Sequence, residues 1–250
     1  MQMTKRDVDM LEWLGVVRVA DVDAVRWALG GLSGSSVPVT SRRANMWIAR
    51  LVEVGLLGRA RPNFRDGSVV WATHQAIGRS NPNLYRQTAR HEVAVAAVSA
   101  RYLAHGYTWA RDRVAPSRGE HQADGVAIRG DEIELVEVEL TPKTLHRYPQ
   151  IFRNHAARMD REGVTRVVYF GTSEVSRVVS READRHLFHA LRPKLLTMPV
   201  IDVRGTWDGP DFGLWNSDTA ADSDAVAGGV VSAELPGLDN LERSMESSRA

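Results

Sequence analysis

The sequence predicts an α+β protein with two folded regions followed by a tail. Three helix-like segments and a basic β-hairpin occupy the first eighty residues. Beyond them, short apolar strand-like runs alternate with longer helical segments, which is typical of an α/β sandwich built on a mixed sheet. We therefore expect one region over residues 1–80, a second over residues 81–205, and an acidic, largely disordered tail over residues 206–250.

Composition excludes several classes of protein. The 250 residues are 43% hydrophobic and 25% charged, as in ordinary soluble proteins, and there is no cysteine, so disulfides, thiolate metal sites and cysteine nucleophiles are excluded. The absence of a long apolar run and of a signal-peptide pattern predicts a cytoplasmic protein without membrane contact. The tail holds nine acidic and two basic residues. Such a tail either competes with nucleic acid for a basic surface or serves only solubility.

The first three predicted helices have recognisable caps. Thr4 followed by Asp7 is a capping-box pattern, and a second helix begins near Asp21 and ends at Gly30-Gly31. A third helix is capped by Thr40 or Ser41 and ends at Gly55. Its spacing predicts an inward face made of Met46, Trp47, Leu51 and Val54.

A β-hairpin is predicted directly after these helices. The segments 56–61 and 68–73 are strand-like, and Asp66-Gly67 between them is a strong hairpin-turn signal. Three helices followed by a basic hairpin is the order of a winged helix-turn-helix. The segment SRRANMWIARLVEVGLLGRARP also resembles the recognition helix and first wing strand of prokaryotic winged-helix proteins.

Side chains at the start of the third helix and on the hairpin indicate contact with double-stranded DNA. Arginine reaches guanine with two hydrogen bonds, asparagine reaches adenine, and a helix N-terminus favours phosphate. The alternatives are a protein-interaction module, or arginines that only solvate a helix face; a homodimer is possible and undecided. The candidate DNA-binding residues are Arg42, Arg43, Asn45, Arg50, Arg61 and Arg65.

The second region begins after a break at residues 80–83. Periodicity predicts helices over residues 88–105, 143–161 and 173–191. Strands are predicted over residues 107–113, 124–128, 132–140, 165–171 and 198–204. We expect the first aromatic residues of the tail, Trp207, Phe212 and Trp215, to dock on this region.

Acidic residues on two neighbouring strands form the most informative motif. Glu137 and Glu139 share a face of one strand, and pairing across the preceding turn brings Asp124 close to them. Carboxylates on a strand covered on both sides need a cation, and hard oxygen ligands suit Mg²⁺ or Mn²⁺. Lys143, one of three lysines in the chain, lies at the mouth of this cluster. The alternative is an ordinary acidic face exposed to solvent.

This order of elements resembles the PD-(D/E)xK nuclease superfamily. Over about residues 1–205, the winged helix followed by HQADGVAI…EIELVEVELTPKTLHRY further resembles the replication-relaxation family of actinobacterial plasmids and phages. The resemblance implies metal ligation by Asp124 and Glu137, with Glu92 as an extra ligand. Glu139 stands where the superfamily usually has lysine, and Lys143 is a migrated lysine in this interpretation. The implied catalytic residues are Asp124, Glu137, Glu139 and Lys143.

Two functions follow as expectations. The first is a Mg²⁺-dependent DNA endonuclease or nicking protein in plasmid or phage replication, mobilisation or processing. The second is a non-catalytic DNA-binding regulator with a degenerate nuclease fold, so whether the chain is an enzyme stays open. A third is a winged helix that binds a protein. For His121, Arg118, His146 and Arg147, surface solvation or core hydrogen bonding is the favoured role.

Overall fold

The computed structural model describes residues 2–115, 117 and 119–210 of the chain. Its elements confirm a mixed protein of helices and two sheets. The helices are α1 Lys5–Val17, α2 Val22–Gly31, α3 Ser41–Glu53, α4 His74–Ile77, α5 Thr88–Ala104, α6 Tyr148–Arg161 and α7 Ser173–His186. The strands are β1 Ala20–Asp21, β2 Leu57–Ala60, β3 Val69–Ala72, β4 Thr108–Ala110, β5 Gly125–Arg129, β6 Glu132–Glu139, β7 Arg166–Gly171 and β8 Leu195–Met198.

The first three helices begin where their caps predict. Thr4 and Asp7 form the complete capping box of α1, while Asp21 and Thr40 cap α2 and α3 through their side chains. The prediction that Met46 faces inward is wrong, because its residue is 62% exposed. The buried face of α3 instead runs at helical spacing through Ala44, Trp47, Ile48 and Leu51.

The first sheet has the order β1-β3-β2 and is antiparallel throughout. The predicted hairpin is confirmed as the pair β2–β3. Val70 lies opposite Arg59 on β2 and opposite Ala20 on β1, so β3 is the central strand. The short strand β1 thereby anchors the hairpin to the start of α2.

The second sheet has the order β4-β5-β6-β7-β8. Strands β4, β5 and β6 are antiparallel neighbours, whereas β6, β7 and β8 run parallel. Residues 134–139 of the central strand β6 are all buried, which confirms that both faces of the carboxylate strand are covered. One face packs with α6 and α7 through Leu135 and Phe152, and on the other Tyr102 of α5 donates a hydrogen bond to Glu134.

Helix α5 joins the N-terminal helices to this sheet. Ala96, Ala100 and Ala104 belong to the same apolar core as α1, α2 and α3, and residues Met1–Pro210 form one compact unit. The approach of α2 is so close that a Cβ atom added at Gly31 would lie 2.6 Å from the backbone nitrogen of Ala104. Small residues on α5 therefore allow the two helices to pack backbone to backbone.

Element boundaries differ from prediction near the acidic strand. The helix predicted from residue 143 begins at Tyr148, after a 3-10 turn over Leu145–Arg147. Pro149 lies in the first turn of α6, a position where proline is favoured. Strand β8 begins three residues before its predicted start and ends at Met198.

The start of the tail docks as predicted. The Trp207 ring lies 6.2 Å from that of Phe170 and 3.9 Å from the guanidinium of Arg101, measured between centres. Phe212 and Trp215 lie outside the described residues. Among the helices that the structure describes, none combines the length and apolar character needed to cross a bilayer.

Candidate functional site

The β5–β6 hairpin sets the position of Asp124. Its register pairs Gly125 with Val136, so Asp124 lies opposite Glu137 at the end of the ladder. The backbone nitrogen of Asp124 donates to the Val136 carbonyl at 3.0 Å, and the Val138 nitrogen donates to Asp124 Oδ2 at 2.8 Å. Asp124 is thus fixed by the backbone of the strand that carries the two glutamates.

Each of the three carboxylates has its own basic partner. Asp124 Oδ2 lies 3.2 Å from His91 Nε2, and Glu137 Oε1 lies 2.6 Å from His121 Nε2. The third carboxylate, Glu139, forms an ion pair with Lys143 and accepts a hydrogen bond from the Tyr148 hydroxyl at 3.3 Å. Lys143 Nζ also lies 4.0 Å from Glu137 Oε2. The acidic side chains therefore belong to a network of acids and bases, not to an exposed acidic face.

Burial and pairing shift the pKa values of these groups in different directions. Burial opposes the charge on Asp124, but the His91 hydrogen bond and charge hold its pKa below the usual value. Burial raises the pKa of Glu137 despite His121, and lowers the pKa of Lys143 despite the neighbouring carboxylates. Two carboxyl groups on adjacent strands thus shift in opposite directions, as acid and base partners in active sites commonly do.

A second histidine approaches Glu137 from α6. His155 is buried, and its Nε2 lies 3.5 Å from Glu137 Oε1 and 2.9 Å from the Tyr169 hydroxyl. Potential ligand atoms of His121, Glu137 and His155 all lie within 4.8 Å of one another, so this group can hold a metal ion. Burial, followed by the charge of His121, lowers the pKa of His155 well below its usual value, which keeps its ring neutral, as ligation requires.

The metal ligands implied by resemblance are not the group that the structure assembles. Among the described residues, His121, Glu137 and His155 are the one set of three or more histidine and acidic side chains with such clustered atoms. Two imidazoles and one carboxylate suit zinc-like ions better than Mg²⁺, which prefers oxygen ligands. Glu137 is thus the one expected ligand in this group, and metal ligation by Asp124 stays a prediction.

Glu92 is not part of the acidic cluster. It lines a cavity of about 180 Å³ together with Arg18 and Arg86, and this cavity adjoins the larger groove described below, with which it shares Arg86. Its neighbour His91 faces the cluster instead, because adjacent residues of a helix point about 100° apart. Glu92 is also absent from the clustered group of His121, Glu137 and His155, and the expectation that it ligates a metal with Asp124 gains no support.

A groove of about 1330 Å³ leads from the β2–β3 hairpin to this cluster. Its lining includes Arg61 of the hairpin segment, Arg86 and Arg90 near the start of α5, and Lys143 of the cluster. Among the described residues that line it, Glu139 is the one carboxylate, and it is paired with Lys143. The groove therefore has an excess of positive charge.

The candidate DNA contacts divide into exposed and structural residues. Arg42 and Arg43 are exposed at the start of α3, and Arg61 is exposed beside the groove. Asn45 bridges α3 to the hairpin, since its amide donates to the Ser41 carbonyl at 2.9 Å and accepts from Arg59 at 3.3 Å.

Two arginines among the candidates are engaged inside the fold. The side chain of Arg65 is 7% exposed and pairs with Asp21 at 2.6 Å, which corrects its expected role in binding DNA. Arg50, whose side chain is 37% exposed, pairs with the buried Asp7. Both carboxylates cap helices, so these arginines tie α3 and the hairpin to helix N-termini.

Sequence reasoning overlooked two histidines of the site. His155 follows Ile151 and Phe152 at helical spacing, so its position on the inward face of α6 could have been predicted from the sequence. His91 had no comparable signal, because only the packing of α5 across the sheet brings it to Asp124. His121, for which core hydrogen bonding was one of the favoured roles, donates to or accepts from Glu137.

Comparison with known proteins adds no relative. No family model, curated protein or solved structure matches the chain.

Proposed function

We propose that this chain is a DNA-binding protein with a metal-dependent hydrolytic centre of the nuclease type. In this proposal the N-terminal helices and the β2–β3 hairpin act as a winged helix-turn-helix, and the five-stranded sheet with its helices acts as a PD-(D/E)xK-like domain. One observation carries the proposal: the cationic groove is lined both by the hairpin segment and by His91, Glu139 and Lys143 of the acid–base cluster. A ligand held by both ends of that groove would be a polyanion, as nucleic acid is.

The N-terminal part supplies sequence-independent affinity in this proposal. Arg42 and Arg43 project from the first turn of α3, and neither forms an ion pair with an acidic residue in the part of the chain that the structure describes. Exposed guanidinium groups at a helix start are suited to phosphate contacts in or beside the major groove. Arg61 would extend the contact from the hairpin.

The cluster offers the groups that phosphodiester hydrolysis needs. Lys143 can neutralise charge on the phosphate, and Glu139 can orient a water molecule and accept its proton. His121, Glu137 and His155 would hold the ion. When bound, such an ion lowers the pKa of water and polarises the phosphate. The expected Mg²⁺ suits this donor set less well than Mn²⁺ or a zinc-like ion.

A non-catalytic DNA-binding regulator is the second candidate. The observation that favours it is that Asp124, Glu137 and Glu139 each already have a basic partner. Internally neutralised carboxylates can stabilise a fold without any reaction. Either candidate is compatible with a role in plasmid or phage replication, mobilisation or processing, which the resemblance suggests.

Cleavage and binding assays separate the candidates. Supercoiled plasmid would be incubated with the full chain and Mg²⁺, Mn²⁺ or Zn²⁺, and nicked product quantified for the wild type and Glu137→Gln. Cleavage by the wild type that is lost in the variant supports the hydrolytic centre. Binding of duplex DNA without cleavage in any metal supports the regulator.

Duplex binding by the N-terminal arginines is tested with a double variant. Replacing Arg42 and Arg43 together by alanine should weaken duplex binding and reduce the slope of log K against log salt by about two, one per lost phosphate contact. Arg177→Ala on the exposed face of α7 is the matched control. Absence of duplex binding at low salt, or identical binding by wild type and double variant, would overturn the proposal.

A further inference from the structure

We infer that the groove binds a single-stranded stretch of nucleic acid, with bases stacked on Phe64, Trp71 and Tyr85 and phosphates paired with Arg86 and Arg90. The inference deepens the proposed function and rests on it, because it names the form of nucleic acid that reaches the acid–base cluster. It is carried by three aromatic rings and three arginines that line one groove.

The charge of the groove indicates a ligand with several negative groups. No ion pair is recorded among the described residues for Arg61, Arg86 or Arg90, and Lys143 offsets Glu139. The first turn of α5, which borders the groove, contains no acidic residue. A chain of phosphates matches this set of cations, which line one groove from the hairpin segment, the start of α5 and the loop that holds Lys143.

The aromatic residues distinguish a single strand from a duplex. Tyr85 is 93% exposed, so its ring contributes little to the apolar core and is accessible to a ligand. The guanidinium of Arg90 lies 5.6 Å from the centre of the Phe64 ring, which combines a cation with a stacking surface. Base faces are available to such rings only where bases are unstacked, as in single strands, since a duplex covers them.

Trp71 has a fixed position in this wall. A Cβ atom added at Gly58 would lie 2.3 Å from the Trp71 ring, so the indole packs directly on the backbone of β2. A ring held flat against a strand needs no reordering before it stacks on a base, and this lowers the entropy cost of binding. The hairpin thus provides a rigid stacking surface in the groove, and Tyr85 provides an exposed one.

The experiment compares a labelled oligothymidylate of about fifteen nucleotides, the upper end of typical single-strand sites, with a duplex of the same length. Fluorescence anisotropy would give both affinities for the full chain. Tyr85→Ala should weaken single-strand binding by about tenfold, the loss of one stacked base, and Tyr85→Phe should restore it. Duplex affinity should change less than twofold in either variant. Phe188→Ala, at a residue 77% exposed outside the groove, is the control.

Arginine variants test the phosphate contacts separately. Arg86→Gln and Arg90→Gln should each reduce the single-strand salt slope by about 0.7. The inference is overturned if Tyr85→Ala binds the single strand as tightly as the wild type does. It is also overturned if polyglutamate competes as effectively as unlabelled oligothymidylate, because the groove would then bind acidic peptides.

Failure of the inference and failure of the proposed function give different results. The Arg42/Arg43 double variant should show weakened duplex binding and unchanged oligothymidylate binding. A wild-type chain that binds duplex DNA and no single strand would overturn only the inference. A chain that binds neither would overturn both.

Discussion

His91 Nε2 lies 3.2 Å from Asp124 Oδ2 and 2.9 Å from the Val138 carbonyl oxygen, so one N–H group faces two acceptors. The imidazole thereby joins α5 to the ends of β5 and β6. Burial favours the neutral ring, but the Asp124 hydrogen bond and charge, with the Val138 carbonyl, raise the pKa of His91 above its usual value. When the His91 ring is protonated, its positive charge offsets the negative charge of the Asp124 carboxylate.

Replacing Asp124 by asparagine should lower the pKa of His91. The raised pKa means that protonated His91 stabilises the fold fully below pH 6.5, and that this contribution is lost as pH rises through the folded-state pKa. NMR titration of the histidine Cε1 protons would measure the change. Asp184→Asn, at an exposed pair with Arg192, should leave this titration unaltered. A His91 pKa that is the same in Asp124→Asn and wild type would contradict the assignment.

Asp7 should be a major source of stability that is lost in acid. Its buried carboxylate accepts hydrogen bonds from Thr4, Trp47 and Arg50, and these outweigh burial and lower its pKa to about 2. Asp7→Ala leaves these donors unpaired and should reduce the free energy of unfolding by about 3 kcal/mol at pH 7. Urea denaturation of the variant measures this loss.

The stability that Asp7 contributes should also depend on pH. Its folded-state pKa is depressed, so its contribution is complete above pH 3.8 and falls as pH drops toward 2. The wild type should lose about 2 kcal/mol over that interval through this group, whereas Asp7→Ala should not. Asp9→Ala, which breaks an exposed pair with Lys5, should leave the free energy of unfolding almost unchanged, because solvent screens such a pair. Parallel pH profiles for wild type and Asp7→Ala would refute the role of this carboxylate.

Metal binding should involve His155. A divalent ion that binds the folded chain alone raises its thermal midpoint, with about 2.7 kcal/mol gained at a concentration one hundred times Kd. We expect Zn²⁺ or Mn²⁺ to raise the midpoint more than Mg²⁺, because the group at Glu137 has two imidazole ligands. His155→Gln should abolish the increase, and a chelator should reverse it in the wild type. An equal increase in His155→Gln and in the control His186→Gln would place the ion elsewhere.

Two glycine-to-alanine changes should have opposite effects. At Gly31 the added methyl group would lie 2.6 Å from Leu103 and Ala104 backbone atoms, so α2 and α5 must separate, at a cost of about 2 kcal/mol. At Gly15 in α1 the nearest atom is 3.7 Å away, and the higher helix propensity of alanine should stabilise by about 0.5–1 kcal/mol. Denaturation of both variants measures the difference. A neutral Gly31→Ala would show that α2 is not held this closely to α5.

Local sequence patterns predicted most of the elements. Thr4, Asp21 and Thr40 mark the starts of α1, α2 and α3, and Asp66-Gly67 marks the hairpin, because capping and turn geometry depend on neighbouring residues alone. The opposition of Asp124 and Glu137 was also predictable, since a short hairpin fixes the register of its strands.

Contacts between distant elements were decided only by the tertiary structure. His91 and His155 reach the carboxylates from α5 and α6 because each helix packs across a different face of the sheet, and no local pattern specifies that packing. The same holds for Arg65, which looked like a surface residue and pairs with Asp21. The sequence alone therefore determined where the acidic groups lie along β5 and β6. Lys143 reaches Glu139 from four residues along the chain, whereas only long-range packing brought His91 to Asp124 and His155 to Glu137, because buried carboxylates need partners that neighbouring residues do not always supply.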